Sequence, residues 1–349
     1  MVSGTDGPVA AHPVGRVGVV GLGLVGGSLA RLLAERGVDV VATDVAPATR
    51  EAARAAGLTV ADDLAGLCAA RPDVVVLAVP LRAVRATASA LRDLLAAAGC
   101  WDPTVTDVGS VKGQVRAAMT DAGLGERYVG GHPMAGTEHS GFEASSRGLL
   151  DGAPWAVTVA APVHGTGDTA GGTDPRRLAQ VLGLITGPLE GTAAVLTDDR
   201  HDESAALVSH VPHVLATQLL NAVAGAPVRD VALGLAAGSF RDGTRVARTD
   251  PARTEAMVAA NAAWVAPALR KVVRDLELVV AALETNAPLH GFFHAADDVR
   301  EGGNAPVAAV DQVPLEGDWP AVLLERCAAG GVVRHVTAAA AEVTFPRAR

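Results

Sequence analysis

The apolar run Val17–Val20 passes directly into Gly21-Leu-Gly23-Leu-Val-Gly26 and then into a helix-forming stretch, Val25–Arg36. No other feature constrains the fold as much. A short, continuously apolar segment reads as a strand buried on both faces, and the change to glycine and then to an amphipathic stretch marks a strand–turn–helix unit. In that context Gly21 permits the tight turn, Gly23 lets the backbone approach a pyrophosphate, and Gly26 allows close helix–sheet packing. Leu24 and Val25 open the helix, where unsatisfied N–H groups and the helix dipole favour negative charge. Asp44 ends the next strand, 21 residues after Gly23, where a carboxylate accepts adenosine ribose hydroxyls. Val79 and Pro80, at the end of the third strand, complete the expected cofactor-binding set. Val45, Ala46 and Pro47 offer no cation to a 2′-phosphate, so NAD is expected over NADP, although Arg50 is a cation close by.

The first half continues in the same alternation. Strands are expected at Val38–Thr43, Val74–Val79, Val105–Asp107 and Trp155–Val159, with an edge strand at Ala193–Leu196. Helices fill the gaps, notably Ala83–Ala97 and Pro175–Gly183, and Pro162–Asp174 reads as a surface loop. From Thr197 the pattern turns helical. Asp198 or Asp199 caps a long helix through about Ala224, kinked where Pro212 removes a backbone donor, and Val228–Ala237, Pro251–Asn261 and Ala262–Glu284 follow. The expected fold class is α/β plus all-α. A Rossmann-like NAD-binding domain occupies 14–195, an all-helical domain 196–296, and a punctuated tail 297–349.

Composition excludes several classes. A formal charge of −9 argues against a nucleic-acid partner, and no stretch is long and apolar enough for a membrane span. The amino end has neither the basic start nor the apolar core of a secretion signal. Cys68, Cys100 and Cys327 are scattered without metal-type spacing, which fits a reducing cytoplasm and gives no metal site.

Four segments carry polar chemistry. In Asp107-Val-Gly-Ser110-Val-Lys112, Ser110 is placed to bond a substrate hydroxyl and Lys112 to meet a carboxylate or phosphate. In Gly130-Gly-His132-Pro-Met-Ala-Gly-Thr137-Glu138-His-Ser140, a histidine stands in a glycine- and proline-rich turn, as a general base requires. In His201-Asp-Glu-Ser-Ala-Ala-Leu-Val-Ser209-His210-Val-Pro212-His213, His210 and His213 share a helix face while His201 points roughly opposite, which opposes a three-histidine metal site. In Ser239-Phe-Arg241-Asp242-Gly-Thr-Arg245-Val-Ala-Arg248, three arginines among apolar neighbours suit carboxylate recognition. Each segment alone has an ordinary structural explanation as a helix cap, a packed imidazole or a solvated charge run. Their joint occurrence in this order does not.

Together these segments resemble the prephenate dehydrogenase family, which includes arogenate dehydrogenases, over roughly residues 16–296. The resemblance implies a Rossmann-like domain followed by a helical domain that dimerises, with the active site in the cleft between them. It makes His132 the base on the substrate's ring hydroxyl, Ser110 the group orienting that hydroxyl and the nicotinamide, and Arg245 a substrate-carboxylate ligand. Thr137, Glu138, His210, His213 and Asp242 become the supporting polar shell. The implied reaction is NAD-dependent oxidative decarboxylation of prephenate to 4-hydroxyphenylpyruvate and CO2 in tyrosine biosynthesis, by a homodimer. Arogenate and a 4-amino analogue of prephenate are the alternative substrates, and a non-catalytic NAD-binding regulator is the alternative of another class. Thr254 stands where relatives often carry tryptophan, which bears on substrate preference. The residues after the helical domain are too few for the regulatory domain that ends many relatives, so at most a degenerate remnant and weak or competitive tyrosine feedback are expected.

Overall fold

The computed structural model describes residues 14–137, 139–160, 173–302 and 307–346. The chain begins with β1 (Arg16–Val20), α1 (Leu24–Glu35), β2 (Asp39–Thr43), α2 (Pro47–Ala55), α3 (Leu64–Ala69) and β3 (Val74–Leu77). It continues with α4 (Leu81–Ala97), β4 (Thr104–Asp107), α5 (Gly113–Asp121), β5 (Gly130–Pro133), β6 (Pro154–Val159), α6 (Pro175–Thr186) and β7 (Thr192–Thr197). Helices follow: α7 (Asp198–Ala205), α8 (Val211–Ala224), α9 (Arg229–Gly234), α10 (Gly238–Thr244), α11 (Pro251–Ala260), α12 (Ala262–Glu284), α13 (His290–His294) and α14 (Asp297–Gly302). Then come β8 (Val307–Pro314), α15 (Trp319–Ala328), β9 (Val332–Val336) and β10 (Ala340–Pro346). Two compact units result. One holds the chain up to His201 together with Ala309–Phe345, the other is built on Asp202–Ala308.

In the first unit β2-β1-β3-β4 form a parallel sheet, as continuous Val-rich runs require when helices cover both faces. Leu29, Leu32 and Leu33 of α1 and Leu178 and Leu182 of α6 pack in one apolar cluster, while Leu91 of α4 and Val115 and Met119 of α5 pack in another. A second sheet runs β5-β6-β7-β9-β10-β8, and a single bridge, Val105 to Tyr128, links β4 to the segment leading into β5. The segment around His132, which its glycines and proline mark as a turn, is strand β5, antiparallel to β6 with His132 opposite Ala156.

The carboxyl-terminal segment is an integral part of this unit, where its Gly, Pro and Asp punctuation suggests a separate tail. β9 pairs antiparallel with β7 at Ala193 and Val333, and Trp319, Leu323, Val333 and Val343 are buried in the main apolar cluster. Covering the edge of β7 removes a row of unpaired backbone groups from water.

The helical unit has a small core of Ala206, Val211 and Val265, against which Leu215, Val258, Trp264 and Leu269 pack. The expected single helix from Asp198 to Ala224 is α7 and α8 joined by a π-helical turn, Ala206–His210. Pro212 explains the turn: it has no N–H and its ring crowds the carbonyl four residues back, so the backbone widens just before it. Many large apolar side chains of this unit are exposed, among them Val273, Leu276, Leu278, Val280 and Leu283 of α12. No helix among the described residues is long and apolar enough to cross a membrane.

Trp319→Ala tests whether the carboxyl-terminal segment is structural. Loss of this buried ring is expected to cost about 3–5 kcal/mol in denaturant unfolding. A change under about 0.5 kcal/mol, typical of surface substitutions, would make the segment an appendage.

Candidate active site

The glycine turn is built as a dinucleotide cradle. Gly21 has φ +97°, and a Cβ there would stand 2.5 Å from the Ala78 carbonyl oxygen, so no other residue fits without strain. At Gly26 a Cβ would meet the Gly21 carbonyl oxygen at 2.0 Å, which fixes the close approach of α1 to the turn. Gly23 faces open space, and no side chain caps the first N–H groups of α1, beginning at Leu24 and Val25. Those donors are therefore presented for a pyrophosphate. The Asp44 carboxylate accepts the Leu22 N–H and the Ala46 N–H, both at 2.8 Å, which locks it beside the turn with lone pairs left for ribose hydroxyls. Arg50 is turned onto the carbonyls of Asp44, at 2.7 Å, and Val45, at 3.2 Å. Val79 is half-buried and Pro80 exposed at the end of β3. The residues present thus fit NAD.

Ser110 and His132 are held by a buried polar network. Asp107, the last residue of β4, accepts the Gly109 N–H at 2.8 Å, the Tyr128 hydroxyl at 2.7 Å and the Gly131 N–H at 3.1 Å. Lys112 pairs with Asp107 and donates to the Gly131 carbonyl at 2.7 Å. Asp107, Lys112 and Tyr128 are all buried. Lys112 is therefore not the ligand-facing cation its position after Ser110 suggests; the ammonium is turned inward against Asp107. Gly109 and Lys112 bracket Ser110, and Gly131 precedes His132, so one network fixes the backbone on which both stand.

His132 is half-buried, and its Nδ1 lies 2.9 Å from Nε2 of His201, with the rings in an edge contact at 67°. His201 is buried on α7, near the helix start. Asp198, the first residue of α7, pairs with Arg116 and accepts the Thr158 hydroxyl at 2.6 Å. Residues 142–146 dock on α1: Arg31 lies over the Phe142 ring and bonds Ser145 Oγ at 2.9 Å, and the Ser146 N–H donates to Ser28 Oγ at 3.0 Å. Thr137 is exposed and Glu138 lies outside the described residues.

In the helical unit, His210 is fully buried, with Nδ1 3.0 Å from the Asn261 side-chain nitrogen. That position is interior, where the resemblance implied a place in the substrate shell. Asn261 also donates to the Asp202 carbonyl at 2.8 Å. His213 is half-buried. Burial, then the Arg253 and Arg245 guanidiniums, push its imidazole below the usual range against a hydrogen bond with the Val246 backbone. Arg245 and Asp242 are exposed. No cluster of three metal-type ligands occurs among the described residues.

Sequence reasoning missed Asp107, Tyr128 and Arg253 and gave His201 no role beside His132. Helical phase cannot be carried through the π turn, and contact between His132 and His201 spans 69 positions. The usable signal for Asp107 was an ionisable pair five residues apart at the end of an apolar strand.

Compared with known proteins, residues 29–170 match the family profile for the prephenate dehydrogenase nucleotide-binding domain, and residues 197–292 match that for its dimerization domain. The chain is 32% identical to the cyclohexadienyl dehydrogenase of Zymomonas mobilis over 276 residues, 76% of this chain and 88% of that protein. It is similar to the crystal structure of Aquifex aeolicus prephenate dehydrogenase in complex with hydroxyphenyl propionate and NAD+, at 29% identity and TM-score 0.72, covering 83% of this chain and 99% of that one. The Synechocystis arogenate dehydrogenase structure is similar too, at 27% identity and TM-score 0.67, covering 82% and 99% respectively.

The chain has one tyrosine, which makes the network observable. Burial, with Asp107 next, holds the Tyr128 phenol well above the ordinary value of about 10. In the unfolded chain the phenol ionises near its ordinary value, so the stability this raises is complete below about pH 10 and is lost as pH climbs toward the folded value. Tyrosinate absorbance is expected to appear only together with loss of helical circular dichroism. Titration near pH 10 in a protein that stays folded would contradict the network.

Proposed function

The chain belongs to the prephenate dehydrogenase family, and from that premise we propose that it converts prephenate to 4-hydroxyphenylpyruvate and CO2. NAD supplies the hydride acceptor. The observation that carries the reading is the joint fixing of Ser110 and His132 by the Asp107–Lys112 network on the unit that carries the dinucleotide cradle. We assign His132 as the base that takes the ring hydroxyl's proton, since an imidazole's ordinary pKa suits that transfer near neutral pH. Ser110 orients the hydroxyl. Aromatisation drives loss of CO2, so the residues need only hold and deprotonate the substrate.

Prephenate is a dianion. We assign Arg245 to one carboxylate, because guanidinium grips carboxylate through two parallel hydrogen bonds. Arg253 joins it in this reading: both arginines act on His213, whose imidazole in its neutral form can donate to or accept from a side-chain oxygen. Arg253 lies next to Thr254, where the family's tryptophan is absent, so this chain's own pocket chemistry is concentrated there.

Reduction of NAD is followed with prephenate and with arogenate in turn. Turnover with prephenate is expected; turnover with arogenate alone would keep the chemistry and change the substrate, and turnover with neither would remove the proposal. His132→Asn should cut kcat by ~10²–10⁴-fold. Arg253→Ala should raise KM for prephenate by roughly tenfold or more with little change in kcat, as loss of a charge-assisted bond predicts.

We further propose a homodimer formed by the helical unit, working in the cytoplasm. The dimerization-domain match and the exposed apolar side chains of α12 support the first, and the unpaired Cys68, Cys100 and Cys327 fit the second. Light scattering at micromolar concentration should give twice the 35.1 kDa chain mass; a monomeric mass would sink the dimer.

A further inference from the structure

A histidine can accept a proton at one ring nitrogen only if its other nitrogen carries the hydrogen, so a general base needs its tautomer fixed. The two-imidazole contact does this. We propose that His201 is the positioning residue of the base: its Nε2 accepts the Nδ1–H of His132, which makes Nε2 the His132 nitrogen that takes the substrate hydroxyl's proton. The proposal rests on the reading of His132 as base given above.

Both partners are held from α5 and the residue that precedes it. Lys112, which precedes α5, donates to the Gly131 carbonyl and so secures β5 beside His132. Arg116, four residues on and on the same face of α5, pairs with Asp198 and so secures the start of α7 three residues before His201. It also donates to the Thr158 carbonyl at 3.2 Å, tying β6 into the same support. His201 is 2% exposed, so its ring is held inside the protein. The 2.9 Å Nδ1···Nε2 separation is hydrogen-bond length and requires that one of the two nitrogens carry the hydrogen.

An imidazole as the partner suits the chemistry. As hydride leaves C4, the hydroxyl O–H bond breaks, an N–H bond forms at His132 Nε2, and the oxygen becomes a carbonyl. When the bond from C1 to the carboxylate breaks, its electron pair enters the ring and reaches the oxygen as phenolate, which takes the proton back from His132. The base therefore ends as it began, and no proton is released from the hydroxyl. A phenol's ordinary value near 10 lies above imidazole's near 6.5, so the return is downhill. A carboxylate partner would hold the imidazolium more tightly and flatten that slope, as an opposite charge does. A second imidazole orients the ring and shares the transient charge without that penalty.

The test pairs ring-nitrogen NMR with kinetics. In the wild type, long-range proton–nitrogen spectra should show His132 as the Nδ1–H tautomer and His201 Nε2 as the acceptor. His201→Phe should release that preference and lower kcat by about 10–100-fold, the range found when a supporting hydrogen bond is lost, with KM changed less than about twofold. His201→Gln, whose carbonyl oxygen can stand in for Nε2, should recover most of kcat. An Nε2–H tautomer at His132, or full kcat in a folded His201→Phe variant, would overturn the proposal, as would a change confined to KM. The spectra need no turnover, so failure of the substrate assignment and failure of the tautomer assignment are separately visible.

Discussion

Everything at the candidate site hangs on the buried contact between Asp107 and Lys112. Removing two charges from water costs several kcal/mol each, and the pair is tolerable only because further hydrogen bonds surround it. Asp107 is matched by the Gly109 and Gly131 amides and the Tyr128 hydroxyl, and Lys112 by the Gly131 carbonyl as well. Such a pair is a poor source of net stability compared with an apolar core, but a demanding constraint on geometry. It can be satisfied in one arrangement of β4, the turn after it, and β5. That arrangement is the one that places Ser110 and His132 on fixed backbone.

The same helix then carries the constraint onward. From α5 an ammonium and a guanidinium four residues apart reach two different elements, β5 and α7, that the chain connects only through residues 134–197. His132 and His201 meet because both are indexed to this support, which β6, from the segment between them, completes by pairing with β5 and bonding Asp198 through Thr158. Arg116 also lies over the Tyr128 ring, with its guanidinium carbon 4.9 Å from the ring centre, so the two polar clusters share a packed aromatic wall. Precision at a catalytic base is here a property of backbone anchoring, with the imidazole contact as its last step.

What was legible in the sequence is what local physics decides. The glycine turn, the Val-rich parallel strands and the switch to helices after Thr197 follow from periodicity and from the special freedom of glycine, and they are found in place. What was not legible depends on partners far along the chain. Lys112 reads as a cation for a ligand's carboxylate or phosphate because the burial of its counter-ion is a tertiary fact. Strand β5 has two glycines and a histidine in four residues and carries no apolar pattern, so only pairing with β6 makes it a strand. The carboxyl-terminal segment looks like an appendage because its contact with the first unit is made across the whole helical unit in sequence. Pro212 signalled a disturbance in the helix but could not say that the backbone would widen into a π turn instead of bending.

Net charge and local charge also pull apart in this protein. A chain at −9 repels a dianion at long range, yet screening confines that repulsion to about 8 Å at physiological ionic strength. Within that distance the nearest groups decide, and around His213 they are the guanidiniums of Arg245 and Arg253. Their field has a second effect: it adds to burial, the larger cause, in pushing the His213 imidazole below its usual range. A neutral ring among cations keeps both a donor and an acceptor nitrogen, which an imidazolium does not. Carboxylate recognition and oxygen recognition can then coexist in one small cluster, with the arginines supplying the charge and the histidine supplying the direction.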